Sequence, residues 1–159
     1  MTLKKLLKND RGAALVEFGI VTPVLLLFLA VIIDGARMAW SYQMVANGVR
    51  DAARTLARTA PTDLCTTGAI GTYTASMTTI VTNDVSGATI LPTGSRITNV
   101  EPTVRCVAGA FSDGSATVIE VTATLEVDYI LGGVFGLFGA QRIERLTTRV
   151  SDQSRVYGV

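Results

Sequence analysis

Residues Arg11–Ile33 read RGAALVEFGIVTPVLLLFLAVII. Within that stretch Ala13–Ile33 is 21 residues long and holds one charge, Glu17, and one proline, Pro23. A helix of that length rises about 30 Å at roughly 1.5 Å per residue, the thickness of a bilayer's hydrocarbon core. A helix half in water would carry a polar stripe every three or four residues, and none follows Glu17. The stretch reads as a membrane-spanning helix. It divides the chain into a leader, residues 1–12, a span, residues 13–33, and a domain, residues 34–159.

Beyond the leader and the span about 125 residues remain, enough for one modest domain. The whole chain of 159 residues has net charge +1, so nothing points to nucleic acid through bulk electrostatics. It contains no histidine, which removes the commonest general base and the commonest metal ligand together. Ser-His-Asp and Cys-His pairs are thereby excluded, and neither GxxxxGK[ST] nor GxGxxG occurs. Glu120, Glu126 and Asp128 fall on one strand face as solvated charges. The residues suggest no catalytic site, no metal site and no cofactor. Cys65 and Cys106 cannot build a four-ligand zinc site by themselves. In an exported domain they are expected to form one disulfide, the alternative being two buried thiols. Lysine is absent after Lys8 and threonine is frequent, as in an exported β-rich module.

The leader carries Lys4, Lys5, Lys8 and Arg11 against Asp10, whereas the far flank begins Asp34-Gly35-Ala36-Arg37. The positive-inside rule places Met1 in the cytoplasm and the domain outside it. The apolar run is too long for the core of an ordinary secretory signal, and Ile33-Asp34-Gly35 is a poor cleavage sequence for one. A carboxylate inside an apolar span costs a few kcal/mol on insertion scales, so Glu17 needs an interfacial position, a partner or a task.

A basic leader ending in Gly12, then Ala13-Ala14-Leu15-Val16, then Glu17 and aromatic Phe18 before a long apolar helix, resembles the class III signal of type IV pilin-like proteins. The stretch RGAALVEFGIVTPVLLLFL, with Pro23, is most similar to the start of TadE-like proteins of the tight-adherence (Tad, Flp-type) pilus system. The resemblance implies a bacterial inner-membrane protein with a single pass, cut by a prepilin peptidase between Gly12 and Ala13. It implies a structural role as a minor pilin or pseudopilin, with other pilin subunits, the pilus assembly platform and the lipid bilayer as partners. Glu17 and Phe18 would be the processing and assembly motif. The chain is far longer than the bare helical subunit of this branch, and Phe18 stands where those major subunits carry tyrosine. A signal-anchored extracytoplasmic binding module is the alternative from another class, and a pseudopilin of a type II-like secretion system is a third. The first of these leaves Gly12 and Glu17 without a role.

Beyond the span, Met38, Tyr42, Val45, Val49, Ala52, Leu56 and Ala60 recur at helical spacing. One helix from about Ala13 to Thr59 is expected, stopped by Pro61, with Trp40 and Tyr42 as interfacial aromatics. Arg50, Arg54 and Arg58 share a face that is either solvated or in contact with an acidic partner or lipid headgroups. Residues 61–71 are expected as a loop. Residues 72–85 read as a short helix, although the threonines favour a strand, with Gly87 as its C-cap.

Residues 96–107 form a candidate strand in which Pro102 argues for an edge or a bulge. Phe111–Ser115 reads as a turn. Over Thr117–Tyr129, Ile119, Val121, Ala123, Leu125, Val127 and Tyr129 alternate with polar residues, the pattern of a strand with one buried face. Residues 142–151 give a third strand. The connector Leu131–Ala140, LGGVFGLFGA, is apolar but broken by glycines. It is either folded onto the core or an apolar lip that docks on a neighbour or the membrane surface. The expected fold is α+β and pilin-like: a long N-terminal helix, its inner half transmembrane, packed on a small antiparallel sheet of about three strands.

Overall fold

A computed structural model describes residues 12–108, 115–136, 139 and 144–157. In chain order the elements are α1 (Ala13–Thr59), α2 (Leu64–Thr67), a 3-10 turn (Ala69–Tyr73), α3 (Thr74–Thr82), β1 (Ser95–Ala108), β2 (Ser115–Asp128), α4 (Gly132–Gly136) and β3 (Arg145–Arg155). The protein is α+β, with a long helix packed on a three-stranded antiparallel sheet. Two compact units are present, one within Met1–Ala36 and Ile130–Glu144, the other within Arg37–Tyr129 and Arg145–Val159.

In the first unit, the stem of α1 (residues 13–36) is almost bare. Its most apolar window has a mean hydropathy of 2.6, and 6% of that window is buried. Only Ala30 and Asp34 are buried between residues 13 and 36. Phe18, Ile20, Leu25, Phe28 and Ile32 are all more than half exposed. The helix is long and apolar enough to cross a membrane. Pro23 lies inside it and has no N–H to give the carbonyl one turn back. One residue earlier, the Thr22 hydroxyl donates to the Phe18 carbonyl at 2.6 Å, within the same turn.

In the second unit, α1 changes its partner from surroundings to protein. Val45, Val49, Ala52, Ala53, Leu56, Ala57 and Ala60 are buried. The stripe expected from spacing holds from Val45 onward but departs at its start, where Tyr42 is 43% exposed and Ser41 is fully buried. The cause is a close approach: Ser41 Oγ lies 2.8 Å from Ser95 Oγ at the beginning of β1 and donates to the Arg37 carbonyl at 2.9 Å. A small hydroxyl fits there and a tyrosine ring does not.

The sheet order is β1-β2-β3, both pairings antiparallel. β2 is central, and its inward row Ile119, Val121, Ala123, Leu125 and Val127 is buried against the α1 stripe. Ala123 pairs with Val100 on one side and Val150 on the other, and all three join that core. Pro102 sits opposite Val121 on the edge strand β1, where its missing donor is tolerated, while the register shift falls earlier, between Ile97 and Asn99. β3 runs on to Arg155 because Asp152 and Ser154 continue to pair with Val121 and Ile119. The expected start of that strand, residues 142–143, and the turn at 111–114 lie outside the described residues.

Between α1 and β1 two expectations need correction. Residues 61–71 hold α2 and the start of the 3-10 turn rather than an open loop, because the Asp63 carbonyl accepts the N–H groups of Thr66 and Thr67 at 2.8 and 3.0 Å. Helix α3 is present, with Met77 and Val81 buried, but it ends at Thr82. Gly87 does not cap it. Asp84 Oδ1 instead gathers the N–H groups of Ser86 and Ala88 at 2.8 and 2.9 Å, and Gly87, at φ +85°, closes that turn. Gly48 lets α1 and α3 touch: a Cβ there would lie 3.0 Å from the Val81 carbonyl oxygen.

Away from the helix, Arg96 pairs with Glu126 at 2.6 Å and Asp128 at 3.0 Å, and Arg145 reaches Asp128 at 2.7 Å from the opposite strand. The Arg145 guanidinium beside Asp128, with Arg96 on its other side, holds this carboxyl below the usual aspartate range. At the other end of the sheet Cys65 is joined to Cys106, with Cα atoms 5.9 Å apart and a sequence separation of 41.

Two outcomes follow for the detergent-solubilised chain. Closing a loop of that length stabilises the fold by about 3–4 kcal/mol in the chain-entropy account. Replacing Cys65 and Cys106 together by serine should therefore lower the denaturant midpoint clearly, and an unchanged midpoint would refute a stabilising bond. A carboxylate with a lowered folded pKa contributes stability that is present above its unfolded value, near 3.8, and lost as pH falls through the folded one. Asp128→Asn should flatten the acid limb of the stability profile below about pH 4, measured by thermal melts, while changing its shape little at neutral pH.

Candidate functional site

The start of α1 is built from the residues that the sequence singles out. The Gly12 carbonyl accepts the Val16 N–H at 3.1 Å and so closes the first helical turn, which puts the Gly12–Ala13 peptide at the helix boundary. Glu17 and Phe18 stand in the second turn, both exposed. With Ala14 and Val21 they line one face at three- and four-residue spacing.

Side chains on a helix lean toward its N-terminus, so Glu17 leans over the turn that begins at Ala13. Among the described residues no hydrogen bond or ion pair is made by its carboxylate. The surrounding surface, Leu15, Val16, Phe18 and Ile20, is apolar and open.

Cys65 and Cys106 belong to the second unit and are not part of this face. Glu126 and Asp128 are engaged by Arg96 and Arg145, which makes them half of an ion-pair network rather than an acid–base pair. Among the described residues no group of three or more His, Cys, Asp or Glu is placed to hold a metal ion. Arg50, first of the basic face on α1, donates to Asp152 of β3 at 3.2 Å, while Arg54 and Arg58 are exposed.

Sequence reasoning used Asp34 only to mark the far flank of the span. In the structure it is 2% exposed, and its two carboxylate oxygens accept the backbone N–H groups of Ile130 and Leu131 at 3.3 and 3.0 Å. The available signal was its position, the first charge after the apolar run. Its partners were invisible because they are main-chain groups 96 and 97 residues away. Hydrogen bonds to a charged group contribute about 1.5–3 kcal/mol each. Asp34→Ala should raise the amide exchange rates of Ile130 and Leu131 by roughly tenfold or more on that scale, read by hydrogen exchange with mass spectrometry. Unchanged rates would show that these bonds hold nothing.

No curated protein and no solved structure matches the chain. One family model does, from the glycine before α1 to Arg54 inside it, so that the sheet lies beyond its reach. Residues 12–54 match the family described as TadE-like protein, a match consistent with a TadE-like pilus assembly protein.

Proposed function

We propose that this chain is a structural subunit of a tight-adherence pilus, a minor pilin or pseudopilin cut by a prepilin peptidase after Gly12. The observation that carries the reading is the TadE-like match over residues 12–54, which takes in Gly12, Glu17 and the bare apolar stem together. In this reading Met1 lies in the cytoplasm, α1 crosses the inner membrane once, and the α+β domain is extracytoplasmic. Cleavage creates an ammonium on Ala13. Glu17 of one subunit neutralises that ammonium on its neighbour, so that two charges costly in lipid become one pair, and axial register is set. The 126 residues beyond the span and Phe18 in place of tyrosine favour a minor component over the bulk filament.

Intact mass and N-terminal sequencing of the membrane-extracted protein, with and without a co-expressed prepilin peptidase, test the processing. The expected product begins at Ala13 and disappears in Gly12→Val. Glu17→Val should leave cleavage intact and reduce incorporation into surface fibres. A chain that still begins at Met1 beside an active peptidase would overturn the proposal in favour of an uncleaved, anchored binding module.

A further inference from the structure

The segment after β2 carries a feature that the proposed function does not use. Residues 130–140 read ILGGVFGLFGA and contain no charged side chain and no side-chain hydrogen-bonding group. Asp128 is the last charge before them and Arg142 the first after. Exposed in water, such a stretch is an apolar patch without a purpose. Ile130 is 66% exposed.

Asp34 decides where this segment lies. Its carboxylate holds the N–H groups of Ile130 and Leu131, so their backbone is one hydrogen bond from α1 at residue 34. Residue 34 is also where the apolar run stops, 21 residues after it begins at Ala13. That run spans the hydrocarbon core once, at about 1.5 Å per residue, which puts Asp34 at its boundary. The turn of α1 just before it, Val31, Ile32 and Ile33, is exposed and apolar. A carboxylate at that depth must be hydrogen-bonded, and here the bonds it accepts draw an uncharged chain to the same level.

We infer that the start of this segment, Ile130 and Leu131, is a second membrane contact: it lies in the headgroup–acyl boundary at the Asp34 end of the span, pinned there by the Asp34 carboxylate. The occupant of this surface is the bilayer that holds α1. The inference rests on reading α1 as a membrane span. Its consequence is mechanical. A lone helix is free to tilt and to rotate about its axis, and an apolar contact beside it at the interface restrains both.

Tryptophan quenching in the full-length protein tests this, because Trp40 is the only tryptophan. In a Trp40→Phe background, Ile130→Trp probes the segment and Phe28→Trp probes the span. Both are reconstituted in phosphatidylcholine vesicles brominated near the headgroup end of the acyl chains. The expected result is a loss of roughly twofold or more in fluorescence at position 130, with little further loss to acrylamide in the water phase. Quenching by lipid at position 28 together with quenching by acrylamide at position 130 would overturn the contact and leave the span standing. Shielding of position 130 from both quenchers would overturn it too, since protein then covers the segment. Absence of lipid quenching at both positions would remove the span and the inference with it.

Discussion

A single 47-residue helix has to satisfy two surroundings in succession, and the rest of the molecule follows from how it does so. Its stem buries almost none of its most apolar window, while the part beyond Arg37 buries a stripe against the sheet. Lipid asks only that backbone groups be satisfied and charges be few. A protein core asks for shape. The change is made by three polar side chains on successive turns. Asp34 holds the N–H groups of Ile130 and Leu131. Arg37 donates to the carbonyls of Thr93 and Asp128, and Ser41 meets Ser95. Beyond Ser41 the same stripe becomes Val45, Val49, Ala52 and Leu56, and packing takes over from hydrogen bonding.

Three strands with one apolar face must bury that face against another element, and α1 supplies the missing layer. Many of the residues that meet there are small, with alanines at 52, 53, 60 and 123. On the other face of the sheet, Arg96 and Arg145 clamp Glu126 and Asp128. Exposed ion pairs of this kind are screened by solvent and contribute little, against about 1.5–3 kcal/mol for burying one large apolar side chain. The helix–sheet core therefore dominates, and the ion pairs fix strand register at the end of β2 where β1 begins and β3 enters. The backbone N–H of Tyr157 donates to the Ala57 carbonyl at 3.2 Å, which brings the end of the chain back to the same helix.

Much of this was legible in the sequence because two of its patterns are long. A 21-residue run with one charge and a strand that alternates over a dozen residues each repeat one physical requirement many times, so a local exception does not hide it. The misreadings are local. Tyr42 looks like core by spacing, but a close approach at Ser95 selects Ser41. Gly87 looks like a helix cap, but Asp84 organises a turn of its own around it. Helix α2 is four residues long and is held by main-chain bonds to Asp63 that leave no periodic trace. Of the stem face, Gly12, Ala13, Glu17 and Phe18 were singled out by spacing and resemblance. Asp34 was not, since its partners are backbone groups, which no residue type announces.

The bare stem also constrains how any assembly of such chains gains its specificity. Lipid tails and the apolar side chains of a neighbouring stem are similar solvents for Leu25, Phe28 or Ile32, so exchanging one for the other releases little free energy. Apolar contact alone cannot tell one axial offset from the next along a helix so uniformly apolar. A charge can. Glu17 is the one ionisable residue between Ala13 and Ile33, and an offset that leaves it facing hydrocarbon costs a few kcal/mol, while an offset that brings a cation to it recovers that cost. In the proposed filament, Glu17 would select the register.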